Sequence, residues 1–96
     1  MYFIILAEDK PESLELRMNN RPAHLDYAQE QACVTLAGPL LTEGDDPKPR
    51  GSMLIIDVAD RAAAEKFAAN DPYAKAGLFA KVDIINWTPA FGPWKP

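Results

Sequence analysis

The chain has 96 residues, a formal net charge of -4 and a hydrophobic fraction of 48%. That length makes one domain, residues 1–96, and that apolar share belongs to globular chains rather than disordered ones. An acidic chain without a basic cluster excludes the electrostatic footprint of a nucleic-acid binder or of a protein held on an anionic membrane, and a single cysteine, Cys33, excludes an intrachain disulfide and suits a reducing compartment.

Residues 2–7, YFIILA, form a continuous apolar run with β-branched and aromatic members, which reads as a central strand covered on both faces. The run lacks a basic lead and a small-residue cleavage site, so no secretion signal is expected. No stretch approaches the roughly 20 apolar residues that span a bilayer, and the expected location is the cytosol. EDKPE ends the strand. Asp9 and Glu12 have capping-box spacing, and Pro11 suits a first helical turn. SLELRMNN continues as a short helix. Asn19, Asn20 and Pro22 predict a break near 19–21, with Pro22 opening a second helix that runs to about Ala32. Its apolar stripe is Leu25, Ala28 and Ala32.

CVTLAGPLL (33–41) is a second strand, punctuated by Gly38 and Pro39. Residues 42–52 are a polar, turn-rich loop. MLIIDVA (53–59) is a third strand. Asp60 caps an Ala-rich helix over 61–70 anchored by Phe67. DPYAKAG (71–77) adds a short helical turn: Asp71 caps it, Pro72 takes its first position and Gly77 ends it. AKVDIINWT (80–88) is a fourth strand, and the tail over 89–96 is too rich in proline for a helix.

The order β-α-β-β-α-β predicts an α+β fold, a ferredoxin-like sandwich: a four-stranded antiparallel sheet with helices on one face. Strands one and three are apolar on both sides, so the face without helices needs a cover. A second copy of the chain would supply it, which makes a homodimer through the sheet face the expected assembly.

His24 is the only histidine. It falls beside the apolar stripe, at the border of core and solvent, where a histidine can move protons near neutral pH. The competing reading is a solvated residue on the helix flank. Asp71 reads first as an ordinary cap. Because both helices lie on one side of the sheet, Asp71 can also approach His24 and orient its ring. Arg21 and, two turns before His24, Arg17 offer positive charge to an oxyanion. Gly38 and Ser52 can shape a pocket, Ser52 also being a plain strand-end hydroxyl. Tyr73, with Phe79, Trp87, Phe91 and Trp94, belongs to the core, an interface or a flat apolar pocket. Cys33 sits in an apolar run and reads as a small buried hydrophobe. No metal site is expected, because one histidine and one cysteine lack ligand spacing. No dinucleotide or phosphate loop is present, and no cofactor is expected.

RPAHLDY, AGPLL, GSMLIIDVAD, NDPYAKAGLF and VDIINWTP, in that order and spacing, resemble the YciI-like (YCII-related) proteins of the dimeric α/β-barrel superfamily. The resemblance implies a ferredoxin-like homodimer and an active-site His–Asp pair, here His24 and Asp71. One branch of the family resembles a dehydrochlorinase acting on chlorinated hydroxyhydroquinones. The expectation is therefore a cofactor-independent, lyase-like enzyme that uses His24 and Asp71 as acid and base on a small phenolic or enolisable compound. The alternatives are a dimeric module that binds a small molecule without changing it, and an accessory domain whose proline-rich tail docks a partner.

Overall fold

The computed structural model describes residues 1–94; Lys95 and Pro96, the end of the expected tail, lie outside the described residues. The elements are β1 (Tyr2–Asp9), α1 (Leu14–Gln31), β2 (Val34–Leu41), β3 (Pro49–Asp57), α2 (Arg61–Asn70), α3 (Pro72–Lys75) and β4 (Phe79–Trp87). The four strands form one antiparallel sheet in the order β2-β3-β1-β4. This is the ferredoxin-like α+β plan expected from the pattern of elements.

Side chains alternate across a strand, and the register decides which of them meet. Phe3 pairs with Ile56 and Ile5 with Leu54. All four are buried, and Ala64 and Phe67 of α2 close the core over them. Asp60 starts α2 as an N-cap, its carboxylate accepting from the Ala63 N–H at 2.8 Å. The intervening residues Tyr2, Ile4 and Leu6 point to the other face and are only partly buried. In the single chain β1 is thus covered on one face, not both. On that outer face Ile4 sits between Ile55 and Ile85, and Leu36 pairs with Ile55. Ile85 and Leu36 are 43% and 50% exposed. The tail folds back at one corner: Trp94 stacks on Trp87 at 5.9 Å, and Tyr2 meets both rings edge-on.

Four local expectations are corrected. First, α1 does not break near 19–21; it runs unbroken with Pro22 inside it. Proline removes one N–H and frees the Met18 carbonyl, but Pro22 and Met18 are both exposed, so water can satisfy that group. The Asn20 amide also donates to the Leu16 carbonyl at 2.9 Å, which supports the same turn. Second, the buried residues of α1 are Arg17 and His24, not the Leu25 stripe; Leu25 is 42% exposed. Third, Asp9 and Glu12 make no capping box. Asp9 ends β1, Glu12 turns with a positive φ of 56°, and α1 begins after Ser13 without a side-chain cap. Strand β3 also starts at Pro49, four residues before its expected beginning, so Ser52 lies within the strand rather than at its mouth.

Candidate active site

The inner stripe of α1 is polar. Arg17, Asn20, His24 and Tyr27 follow at intervals of three or four residues, so they share one face, and all four are buried or half-buried. The Tyr27 hydroxyl donates to the Phe67 carbonyl at 2.8 Å and ties α1 to α2. Arg17 reaches the sheet. Its Nε and Nη2 donate to the two carboxylate oxygens of Asp9 at 2.7 and 3.0 Å, and Nη2 also donates to Ser52 Oγ at 2.7 Å. Burial works against the Arg17 charge, but the hydrogen bonds and charge of Asp9 outweigh it and hold the guanidinium protonated beyond its ordinary range.

Asp71 stands where α2 gives way to α3. Extended backbone at φ -60° and ψ 130° turns the chain there, as a residue before proline prefers. Its carboxylate does two jobs. Oδ1 accepts from the Tyr73 N–H at 2.9 Å, capping α3, and both oxygens lie within 2.8 and 3.0 Å of His24 Nδ1. A carboxylate accepts only, so Nδ1 carries the hydrogen, and in the neutral ring Nε2 is the lone-pair nitrogen. His24 is 8% exposed and Asp71 4%. His24 is therefore not a solvated flank residue.

Tyr73 joins the two halves of the site. Its ring stacks on the His24 ring at 4.0 Å with a 13° tilt, and the Arg17 guanidinium sits 4.6 Å from its centroid. Seven helical residues span about 10.5 Å, so one aromatic ring fits between Arg17 and His24. Burial pushes the Tyr73 phenol above its usual range, with the charges of Arg17 and Arg21 pulling the other way.

These groups close one end of a cavity of about 440 Å³, a size that suits a small-molecule site. Met18 and Leu25 of α1, Ala37, Gly38 and Pro39 of β2, and Pro49, Met53 and Leu54 of β3 supply mainly apolar walls; Arg17, Arg21, His24, Ser52 and Tyr73 make the polar end. Every expected site residue thus lines this cavity except Asp71, which stands behind His24. A hollow of about 560 Å³ beside Cys33 is larger, but its ionisable groups are Tyr27, Cys33 and Lys66, none with a paired acid and base. Burial there pushes the Cys33 thiol up, against nucleophilic reactivity. Among the described residues no group of three or more His, Cys, Asp and Glu gathers as metal ligands, and no helix is long and apolar enough to cross a membrane. Sequence reasoning missed Asp9, which it spent on a helix cap, and missed the stacking of Tyr73 on His24. The seven-residue spacing of Arg17 and His24 was the available signal for a shared face.

The chain is similar to proteins of known family. It is 35% identical to protein YciI of Escherichia coli over 95% of its own length and all of the relative's. Its structure superposes on the 5-chloro-2-hydroxyhydroquinone dehydrochlorinase TftG of Burkholderia phenoliruptrix, solved with 2,5-dihydroxybenzoquinone. The TM-score is 0.88 at 35% identity, over 94% of this chain and 96% of that one. An antibiotic biosynthesis monooxygenase, at 15% identity and a TM-score of 0.54, shares the fold over 93% of this chain and all of its own. The YCII-related domain matches residues 1–88, and the chain belongs to that family.

Proposed function

We propose that the protein is a small cofactor-independent enzyme of lyase type, acting in the cytosol on a phenolic or enolisable ring compound. The observation that carries the reading is the buried His24–Asp71 pair at the polar end of a cavity large enough for a single ring. Asp71 fixes the ring and its tautomer; His24 Nε2 takes a proton from a ring hydroxyl or an acidic carbon. From an acidic carbon the electron pair left behind expels the neighbouring anion directly. From a phenol the proton is first returned to the halogen-bearing ring carbon, giving the keto form; loss of a second hydroxyl proton to His24 then forms the other carbonyl as the bond to a leaving anion such as chloride breaks. The imidazolium proton then leaves with the anion or to water. Proton and anion balance without an electron donor, so the step calls on no redox partner. Arg21 lies where it can stabilise negative charge on the ring or on the departing anion. Arg17 acts through Ser52 and Tyr73, because Asp9 already neutralises it. Likeness to the dehydrochlorinase TftG supports the reaction class.

The test is chloride release from 5-chloro-2-hydroxyhydroquinone. His24→Ala is expected to lose about 10²–10⁴-fold in rate, the usual weight of general acid–base catalysis, and Asp71→Asn a large part of that. Turnover undiminished in His24→Ala would sink the reading. Binding without turnover in the wild type would favour the non-catalytic binding module instead. We also propose that two copies pair through the outer sheet face, where Leu36 and Ile85 stand exposed on the side away from the helices.

A further inference from the structure

The polar end of the cavity has an uneven charge balance. Arg17 is neutralised by Asp9, and His24 faces Asp71. Arg21 also lines the cavity, yet among the described residues it takes part in no ion pair or side-chain hydrogen bond. Its own helix cannot neutralise it: the neighbours three and four residues away are Arg17, Met18, His24 and Leu25, none of them acidic. The chain as a whole carries -4, so this is a local cation on an acidic protein.

Ser52 adds a second feature. It is 4% exposed, and its oxygen accepts from Arg17 Nη2 at 2.7 Å. A hydroxyl has one proton to donate and two acceptor sites, and a donor already held by a guanidinium is polarised towards giving its proton. The Ser52 hydroxyl donates to no partner among the described hydrogen bonds. His24 Nε2 supplies the remaining function, an acceptor. The polar end of the cavity therefore offers a base in His24, hydroxyls in Ser52 and Tyr73, and one uncompensated cation beside apolar walls.

We infer that this cavity selects an anionic, oxygen-substituted ring, with Arg21 holding its negative charge and Ser52 donating to a second oxygen. The inference rests on the reading of the same cavity as the substrate site and names the class of substrate. A neutral ring of the same shape fills the apolar walls equally well but leaves Arg21 without a partner, so discrimination falls to Arg21 alone.

The test is equilibrium binding by calorimetry of two matched rings. One is 2,5-dihydroxybenzoquinone, a vinylogous acid that ionises at neutral pH; the other is its dimethyl ether, which cannot ionise. The wild type is expected to prefer the anion by about tenfold or more, the scale of one charge-assisted hydrogen bond. Arg21→Gln should remove most of that preference without weakening the ether, and Arg21→Lys should restore part of it. Ser52→Ala should weaken both rings by a similar factor. Raising salt should erode the preference in the wild type and in Arg21→Lys but change little in Arg21→Gln. Arg21 is exposed, so its replacements should fold, which an unchanged His24 ring signal by NMR would verify. An anion preference that survives in Arg21→Gln, or failure of both rings to bind, overturns the inference. The acid–base reading fails separately, through turnover that survives the loss of His24.

Discussion

Arg17, Tyr73 and His24 form a column in which two cationic or basic groups on one helix grip a ring from another. Such a column holds only if the buried guanidinium keeps its counter-charge. The side chains of Arg17 and Asp9 are 5% and 6% exposed, and stripping one member from a pair so deeply buried leaves an uncompensated charge that typically costs about 3–5 kcal/mol. Asp9→Ala is expected to lose that much in urea unfolding, and Asp9→Leu with Arg17→Met together to lose less than either partner alone. Costs that simply add would show that the two residues act independently. At this scale the sequence was partly legible. Asp71-Pro72 announces a cap, and the chain's only histidine invites attention. Asp9 was not legible, because a carboxylate three residues before a glutamate is the ordinary signature of a helix start. Only the fold shows that the strand runs on through it.

Helix α1 explains why element-level reasoning faltered. Periodicity identifies the buried face of a helix by its apolar residues, whereas this helix turns a polar stripe inward and leaves Leu25 to a cavity wall. Its attachment to the rest of the fold is correspondingly made of specific bonds, among them Tyr27 to the Phe67 carbonyl. Burial, followed by the charges of Asp71 and Cys33, raises the Tyr27 phenol above its ordinary value. The folded state thus holds the neutral phenol. The unfolded chain loses that proton first as pH passes about 10, so above that point it binds fewer protons than the native state and stability falls. Urea midpoints should decline as pH rises through about 9–11, the Cys33 thiol, which burial also raises, contributing at the lower end. The decline should be shallower in Tyr27→Phe, and shallower again when Tyr73→Phe is added, since burial raises that phenol too. Equal slopes in all three proteins would show that neither tyrosine is the source.

For the whole molecule, the strand pattern sufficed for the fold. Four apolar runs, the helical segments between them and their order leave few topologies, and the helix-free face follows from that count. What covers that face was legible only as a need. The outer residues Ile4, Ile55 and Ile85 lie side by side across three strands, an arrangement that hydrophobic burial would favour sealing. Sedimentation is expected to give twice the 10.6 kDa mass of the chain, and Ile85→Glu to shift the protein to single chains. A wild type that sediments as single chains at high concentration would rule out the face-to-face pair. The path of the tail was not readable, because a proline-rich segment has no periodicity; Trp94 is placed by its stack on Trp87.

Strand β2 lies at the margin of the sheet, and Ala37, Gly38 and Pro39 are all exposed while lining the cavity. The core cluster draws its buried members from β1, β3 and α2, and none from β2. A Cβ added at Gly38 would meet nothing within 4 Å. This β2 stretch of the cavity wall thus contributes no buried member to the core, although Leu54 of β3 belongs to both, and the His24–Asp71 pair is held by α1 and the start of α3. If the cavity is the substrate site proposed above, mutational drift along β2 would reshape what it accepts at little cost to stability, a division of labour through which one scaffold would diversify its substrates.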